Sequence, residues 1–237
     1  MLLFNIYNYL ILQFNGIRTT IRFSPFITPC HSTNSTCLRL SSQHALPIVA
    51  AGIPNLGIET MDPLQLALIE SDQGGLKIVF KDSTLKGLKD CSIENIKYDT
   101  SKMKQHIALK CNLLLTGDYI IDGQLLVLTA QGEGKFKIDA RDLLIKAIMD
   151  ISTVNGKDGK PHWHITKWSY TFEVLTGTTF DLENLFNGNK VLGNVFNISW
   201  KEVMQEIAPP IVDAIVAKVF KGVEALYKAV PINQLQA

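Results

Sequence analysis

Alternation of apolar and polar residues runs through most of the middle of the chain. Segments such as LKIVFKD and WHITKWSYTFEVLT place an apolar residue at every second position. Because successive side chains of a β-strand point to opposite faces, this alternation predicts long strands with one apolar face. The turn-forming sequences DTSK, QGEG and NGKDGK separate the strands and predict an antiparallel meander.

Two other segments have the period of a helix. Residues 38–51, LRLSSQHALPIVAA, form one of them, and Gly52 is expected to end it. Residues 199–230 place apolar residues at i, i+3 and i+4 along one face. A helix of that length spans about 45 Å, so the sheet must curve lengthwise around it. The predicted fold class is therefore α+β, with a long, highly curved antiparallel sheet wrapped around a long C-terminal helix.

The stretch FDLENLFNGNKVLG, residues 180–193, joins the last predicted strand to this helix. It lacks the Gly-Lys-Ser/Thr ending of a phosphate-binding loop. Alternation does not resume after Asn187-Gly188, as a hairpin would require. We therefore expect a corner with a tight turn at Asn187-Gly188 that binds nothing itself. The apolar residues expected to anchor this corner to the core are Leu185, Phe186, Val191 and Leu192.

Composition narrows the range of functions. The net charge is +1, from 23 basic and 22 acidic residues without a long run of one sign, which argues against nucleic-acid binding. Apolar residues make up 46% of the chain, yet no run of 18 apolar residues predicts a membrane-spanning helix, so we expect no stable membrane insertion. The surplus apolar surface must then be buried, and a lined internal cavity is one way to bury it.

The first 29 residues differ from the rest of the chain. MLLFNIYNYLILQF is a short apolar run without a preceding basic residue or a convincing small-residue cleavage site. We expect residues 1–29 to be an atypical leader, either signal-like, disordered or a mispredicted start. A folded segment or a retained membrane-surface anchor is less favoured. Residues 30–237 are expected to form a single domain.

Four cysteines and two glycosylation motifs bear on the compartment. An even number of cysteines suits an oxidising environment, and the sequons at Asn34 and Asn197 fit secretion. Cys91 and Cys111 are equally far from residue 101 in the DTSK turn, so they oppose each other across the predicted hairpin. Two interpretations remain open: a cross-strand disulfide, or two buried free thiols that pack as small apolar side chains.

Catalytic and metal-binding patterns are not evident. The sequence contains no G-x-S-x-G elbow, and the carboxylates of Asp139, Asp142 and Asp150 are scattered along the predicted strands. His162 and His164 share one strand face, but zinc needs further ligands, and solvated histidines are the favoured interpretation. We expect no enzymatic activity, no metal and no cofactor.

Four segments of the chain share the pattern of a known family. They are GIPNLGIETMDPL, GDYIIDGQLLVL, FDLENLFNGNKVLG and the WKE that opens the final helix. In this order they resemble the takeout and juvenile-hormone-binding protein family of insects, from Cys30 to the C-terminus. The resemblance implies secretion, no catalysis, and a fold like that of the bactericidal permeability-increasing proteins, with a tunnel for a lipophilic ligand. It also implies a disulfide between Cys30 and Cys37.

Inward positions of the sheet and helix are the candidates for the tunnel wall. By parity and helical period they are Phe80, Leu109, Leu113, Phe136, Phe172, Val174, Trp200, Ile207 and Ile211. The hydroxyls of Tyr98, Tyr119 and Tyr170 are candidates for orienting a polar head group. Each apolar position is also consistent with ordinary core packing.

Together these features favour a secreted, extracellular carrier that acts as a monomer. Its ligand would be a hydrophobic small molecule, either a terpenoid such as juvenile hormone or a fatty-acyl lipid. Burial of each CH₂ group contributes about 0.8 kcal/mol, so such a chain binds without a charged anchor. The alternative is an extracellular protein that binds a membrane or a protein partner and carries no ligand.

Overall fold

The structure, a computed structural model, describes residues 25–237. The expected leader, residues 1–29, lies outside the described residues except for its last five. Six strands are present in the described part: β1 Leu64–Gln73, β2 Leu76–Lys86, β3 Ser92–Asp99, β4 Lys104–Leu125, β5 Leu128–Asn155 and β6 Pro161–Leu182. Its α-helices are α1 Ser35–Ala50, α2 Lys190–Ile198, α3 Trp200–Ala229 and α4 Ile232–Leu235.

The six strands form one antiparallel sheet in the order β1-β2-β4-β5-β6. β4 is long enough to pair with two shorter strands, with β3 along its first half and β2 along its second half. In the described chain the edge strands β1 and β6 do not pair with each other, and both contact α3. The sheet therefore wraps around α3 without closing on itself, which confirms the predicted fold class.

Bulges bend the longest strands near their middle. The register between β4 and β5 shifts beside Asn112, and the register between β5 and β6 shifts beside Asp142. Asp142 has a positive φ of 50°, and its N–H donates to Asn112 Oδ1 over 2.8 Å. The hydroxyl of Thr176 in β6 donates to the Asp142 carboxylate. Because bulges add local bend and twist, these contacts let strands of 22 to 28 residues follow the helix lengthwise.

The helix α3 follows the amphipathic period of its sequence. It has 30 residues and continues through Pro209 and Pro210. Its buried face includes Val203 and Ile207, which are 0% and 1% exposed. Burying this face against the concave side of the sheet supplies much of the hydrophobic core.

The corner after β6 is tighter than the sequence predicts. Asn187 and Gly188 have φ angles of 54° and 79°, as expected for a tight turn, and Asn184 and Phe186 also have positive φ angles. Leu185 and Phe186 are buried, as expected. Two buried apolar side chains and four residues with positive φ angles therefore fix the corner.

Behind the corner the chain forms the short helix α2 before α3 begins. The Asn189 side chain caps α2 by accepting hydrogen bonds from the N–H groups of Val191 and Leu192. Leu192 packs against the core, but Val191 is 72% exposed, so its predicted anchoring role was wrong. The helical period of the sequence predicts a helix after the corner. It does not reveal that the separate helix α2 precedes α3.

The predicted turn at QGEG was also wrong. β5 passes through this segment, and the chain reverses instead at Leu126-Val127. A Cβ atom on Gly132 would lie 2.9 Å from the carbonyl oxygen of Asn184, and one on Gly134 would clash with the same corner. These glycines therefore let the corner after β6 pack closely on β5, and they do not form a turn.

Candidate ligand-binding cavity

A cavity of about 280 Å³ lies between α1, the sheet and the second half of α3. Small-molecule pockets typically have volumes of about 300–1,000 Å³, so this cavity is near the lower end of that range. Apolar side chains provide most of its wall, among them Leu46, Val49, Ile93, Leu109, Ile145, Ala147, Met149, Val216, Val219, Phe220 and Val223. Exposed Lys97 also lines the cavity, which therefore reaches the molecular surface beside β3.

The helix α1 covers the cavity and is held by polar contacts at both sides. Ser41 donates to the Thr28 carbonyl oxygen over 2.8 Å and accepts from the Thr28 N–H over 2.9 Å. The Gln43 amide donates to the Cys91 carbonyl oxygen over 2.9 Å and accepts from the Ile93 N–H over 2.7 Å. These paired bonds attach α1 to the preceding segment and to the start of β3.

Two disulfides flank the same region. Cys30 and Cys37 are joined across the start of α1, and Cys91 is joined to Cys111, so the free-thiol alternative is not what the structure contains. The second bond depends on a bulge in β3, where the register against β4 shifts between Ile93 and Asn95. Without this shift Cys91 would oppose Asn112 instead of Cys111.

Of the predicted wall residues, Leu109 lines the cavity. The others lie in the packed core or at its edge. Phe80 and Phe136 pack against each other with ring centroids 4.8 Å apart. The remaining fully buried ones are Leu113, Ile207 and Ile211, and the half-buried ones are Phe172, Val174 and Trp200. Their contact with a ligand stays a prediction.

All three predicted tyrosines donate their hydroxyls to protein acceptors, and Tyr98 donates to Met103 Sδ over 3.3 Å. The Tyr119 hydroxyl donates to the Glu183 carbonyl oxygen over 2.7 Å, and burial together with the nearby Glu183 carboxylate raises the pKa of Tyr119 to about 12. The Tyr170 hydroxyl donates to the Asp213 carboxylate. Burial and this carboxylate raise the pKa of Tyr170. The hydroxyls of Tyr119 and Tyr170 lie away from the cavity lining.

A cluster of polar and aromatic side chains forms part of the cavity lining. Tyr98 belongs to this cluster, as do Gln105 of β4 and Tyr227 of α3, whose hydroxyl donates to Gln105 Oε1. The Trp163 ring lies between the two tyrosines, with centroids 5.3 Å from each. The sequence carried a signal for Gln105, since it is a polar residue at an inward position, in phase with Ile107 and Leu109.

The histidines of β6 bind separate partners. His162 is only 3% exposed and contacts Asp158 and the Tyr227 carbonyl oxygen, so the expectation of a solvated side chain was wrong. His164 contacts Glu224 over 2.7 Å. Within residues 25–237 no cluster of three or more His, Cys, Asp or Glu side chains is placed to hold a metal ion. In the same range no helix combines the length and apolar character needed to cross a membrane.

Glu224 fastens the second half of α3 to β6. Its carboxylate accepts from His164 and from the Ile165 N–H over 2.8 Å, and it pairs with Lys228 over 3.3 Å. Burial by itself would raise the pKa of this carboxyl, but the hydrogen bonds outweigh it and hold the pKa below its ordinary value of 4.5. A carboxyl whose pKa is lower in the folded state than in the unfolded state stabilises the folded protein. This stabilisation is complete above the pKa of the unfolded state, and it is lost as the pH falls through the pKa of the folded state.

Glu224→Gln is therefore expected to destabilise the protein in a pH-dependent way. At pH 7 the loss should be about 1.5–3 kcal/mol, as for hydrogen bonds to a charged group. The difference from wild type should shrink as pH falls below 4.5, because the wild-type carboxyl then becomes protonated as well. Urea unfolding of both proteins at pH 7 and at a pH below 4.5 measures this difference in unfolding free energy. The control is Glu206→Gln, at an exposed position of the same helix. A penalty that is equal at both pH values would contradict this account.

The fold and the cavity together define a class of protein in which a curved antiparallel sheet wraps around a long helix and leaves an apolar cavity between them. The chain belongs to the haemolymph juvenile hormone binding protein (JHBP) family, whose family model matches residues 9–237. This confirms the resemblance seen in the sequence. The family binds lipophilic ligands and is a family of carriers.

Individual relatives support the assignment. The chain is similar to the crystal structure of Takeout 1 from Epiphyas postvittana, with 32% identity and a TM-score of 0.84 over 89% of this chain and 99% of that one. It is 27% identical to the circadian clock-controlled protein daywake of Drosophila melanogaster, over 86% of this chain and 85% of the relative. It is 24% identical to the putative beta-carotene-binding protein of Schistocerca gregaria, over 63% of this chain and 60% of the relative.

Proposed function

We propose that the protein carries one hydrophobic small molecule, of terpenoid or fatty-acyl type, in the cavity between α1, the sheet and α3. The observation that supports this most is the lining, since apolar side chains from all three layers surround an open volume of about 280 Å³. The locust relative is named for binding beta-carotene and the family for binding juvenile hormone, and both names fit an elongated apolar ligand. The carrier performs no chemistry on its ligand.

Burial of hydrocarbon suffices for useful affinity. About ten CH₂ groups moved from water into the cavity contribute roughly 8 kcal/mol. Because about 8 kcal/mol corresponds to a Kd of about 1 μM, and part of it is lost in restricting the ligand, ten buried CH₂ groups give an affinity somewhat weaker than micromolar. Each further buried CH₂ group tightens binding by about 0.8 kcal/mol, so a longer chain reaches micromolar affinity. No charged anchor is needed, and the polar side chains of the lining add orientation.

Native mass spectrometry of gently purified protein tests the proposal. We expect one lipid per chain, which organic extraction releases, and one-to-one uptake of a fluorescent fatty-acyl probe afterwards. A protein that is recovered empty and takes up no probe would contradict the carrier function.

One observation favours the alternative of a surface-binding protein. Val191, Val195 and Ile198 lie on one side of α2 and are 72%, 43% and 80% exposed. Such a stripe suits contact with a membrane or a partner protein. Co-sedimentation with lipid vesicles, without any lipid in the cavity after separation, would support this function in place of the carrier.

We further propose that the protein is secreted and acts as a monomer. The two disulfides suit an oxidising compartment, and the matched family is one of haemolymph proteins. Sedimentation velocity should give a single species with the mass of one chain, 26.4 kDa before processing and glycosylation. A stable dimer would contradict the monomer.

The two sequons differ in the folded chain. Asn34 is exposed, and its Oδ1 caps α1 by accepting from the Cys37 N–H over 3.0 Å. Among the described residues no acceptor contacts its Nδ2, the atom to which a glycan is attached. The Nδ2 of Asn197 donates to the carbonyl oxygens of Phe180 and Gly193, so both of its hydrogens are used. Folded protein can therefore carry a glycan at Asn34 but not at Asn197.

Expression in insect cells is expected to yield protein with one N-linked glycan. Thr36→Ala, which removes the first sequon but keeps the Asn34 cap, should abolish the mass shift caused by a glycosidase. Ser199→Ala, which removes the second sequon, should leave the shift unchanged. A chain without a glycan, or a glycan that persists in Thr36→Ala, would contradict the prediction.

A further inference from the structure

The helix α1 is apolar on its outer side as well as on the side that lines the cavity. Leu40 and Ile48 are 56% and 37% exposed, although large aliphatic side chains are usually buried. At about 100° per residue they share one stripe of the helix, the lid face. The lid face consists of Leu40, His44, Pro47, Ile48 and Ala51, all of which are exposed. A helix that is apolar on opposite sides is normally covered on both, so the lid face suits contact with a further apolar surface.

The segment that carries the lid face has no negative charge. Residues 25–58 include no aspartate or glutamate, whereas the exposed Arg39 flanks the lid face. Lys97, exposed on β3 where the cavity reaches the surface, adds a second cation. Glu59, the next carboxylate along the chain, pairs with Lys221 over 2.8 Å. An apolar stripe beside cations and without carboxylates of its own matches an anionic lipid surface.

The lid face lies on the outside of the helix that covers the cavity. The opposite side of α1, with Leu46 and Val49, lines the cavity, and α1 contacts β3 at the place where the cavity reaches the surface. Pro47 has no N–H, which removes one hydrogen bond from the last turn of α1. A surface in contact with the lid face is therefore separated from the ligand by a single helix with a weakened last turn.

A second copy of the chain fits the lid face less well than a bilayer does. In a two-fold dimer the same patch of both copies meets itself. Arg39 and Lys97 would then lie near their own counterparts, and like charges oppose association. An anionic bilayer supplies both an apolar layer for Leu40 and Ile48 and negative charge for the two cations.

We propose that the lid face docks on an anionic lipid bilayer, where the protein loads or releases its ligand. Leu40 and Ile48 enter the boundary between head groups and acyl chains, while Arg39 and Lys97 contact the lipid phosphates. The ligand then passes between the bilayer and the cavity beside α1 without dissolving in water. The role of docking in ligand exchange rests on the proposed carrier function.

Flotation of protein from insect cells with lipid vesicles tests the docking. The vesicles contain phosphatidylcholine alone or with one quarter phosphatidylserine, and wild type is expected to bind the anionic ones. The double variant Leu40→Gln with Ile48→Gln should bind about tenfold more weakly, because it inserts no aliphatic side chain. Arg39→Gln should bind anionic vesicles about fivefold more weakly. The control, Val191→Gln with Ile198→Gln on α2, should bind as wild type does.

Transfer of a fluorescent fatty-acyl probe from protein to vesicles measures the role in exchange. The wild-type transfer rate should rise with the concentration of anionic vesicles, because docking precedes release. In the double variant of α1 the rate should fall about tenfold, in step with vesicle binding. Its affinity for the probe in solution should not change, because Leu40 and Ile48 lie outside the cavity lining. A wild-type rate that is independent of vesicle concentration would contradict the role in exchange.

The outcomes separate the docking surface from the carrier function. Wild type that binds no vesicles, or an α1 double variant that binds as wild type does, overturns the inference and leaves the carrier intact. Loss of binding in the α2 variant alone also overturns it and favours the surface-binding function. So does a wild-type dimer that dissociates in the α1 variant on sedimentation velocity, because a second copy then covers the lid face. Wild type that takes up no probe overturns the carrier function, and flotation still decides the docking. Arg39→Gln keeps the test valid if the double variant does not fold.

Discussion

Ala147→Trp is expected to abolish uptake of lipophilic ligands while the protein remains folded. Ala147 lies on β5, is 8% exposed and lines the cavity. An indole at this position enters the space that the ligand would occupy, so ligand and side chain compete for a cavity of about 280 Å³. Overpacking of about 3 kcal/mol corresponds to a loss of affinity on the order of 100-fold. Titration with a fluorescent fatty-acyl probe measures it.

The matched control for this variant is Ile148→Trp. Ile148 is the next residue on β5, points to the other face of the sheet and is 37% exposed. We expect it to bind the probe as wild type does. Circular dichroism and urea unfolding establish that both variants are folded. Wild-type affinity in Ala147→Trp, or equal losses in the two variants, would show that the ligand does not occupy this cavity.

Removal of the Cys91–Cys111 disulfide, by alanine at both positions, should produce the largest loss of stability. The bond joins residues 20 apart, and closing a loop of that size stabilises the folded state by about 3 kcal/mol. For a chain of this length such a loss lowers the Tm by about 6–12 °C. Its removal also releases the start of β3, where the Cys91 carbonyl oxygen and the Ile93 N–H form hydrogen bonds with the Gln43 amide of α1. Ligand affinity should therefore fall together with stability.

Replacement of Cys30 and Cys37 provides the comparison. These cysteines are only 7 residues apart, so the same argument gives a smaller loss, of about 2.5 kcal/mol. Thermal unfolding of both double variants and of wild type measures the order of the effects. An unchanged Tm after loss of the Cys91–Cys111 bond would show that the bond does not constrain the chain.

Much of the fold was predictable because periodicity reports which face of an element is buried. The wrapped sheet and the long helix followed from alternation and helical spacing. Strand β1 escaped prediction because its apolar positions do not alternate: Leu66 and Ile69 are buried, while Leu68 between them is 54% exposed. The turn at Leu126-Val127 was not predicted, because the glycines of the nearby QGEG segment were interpreted as the turn.

The site was less predictable, because parity shows the inward face but not which part of it is filled. Large rings such as Phe80 and Phe136 pack together and occupy the space toward the corner after β6. The cavity lies where smaller side chains such as Ala45 and Ala147 face inward beside α1. Distinguishing the two regions requires the three-dimensional pairing of strands. Leu109 and Tyr98, both named from the sequence, do line the cavity. The sequence also marked the inward position of Gln105, by a polar residue on an apolar stripe.

The most direct measurement is the location of a bound ligand by anomalous diffraction. Crystals of the protein loaded with a fatty-acyl chain brominated at its apolar end would give a bromine peak at one defined position. The account predicts that peak inside the cavity, enclosed by α1, β5 and α3 and within contact of the residues around Ala147. A peak on the molecular surface, for example beside α2, or no peak in fully loaded protein, would contradict the claim that this cavity is the carrier site.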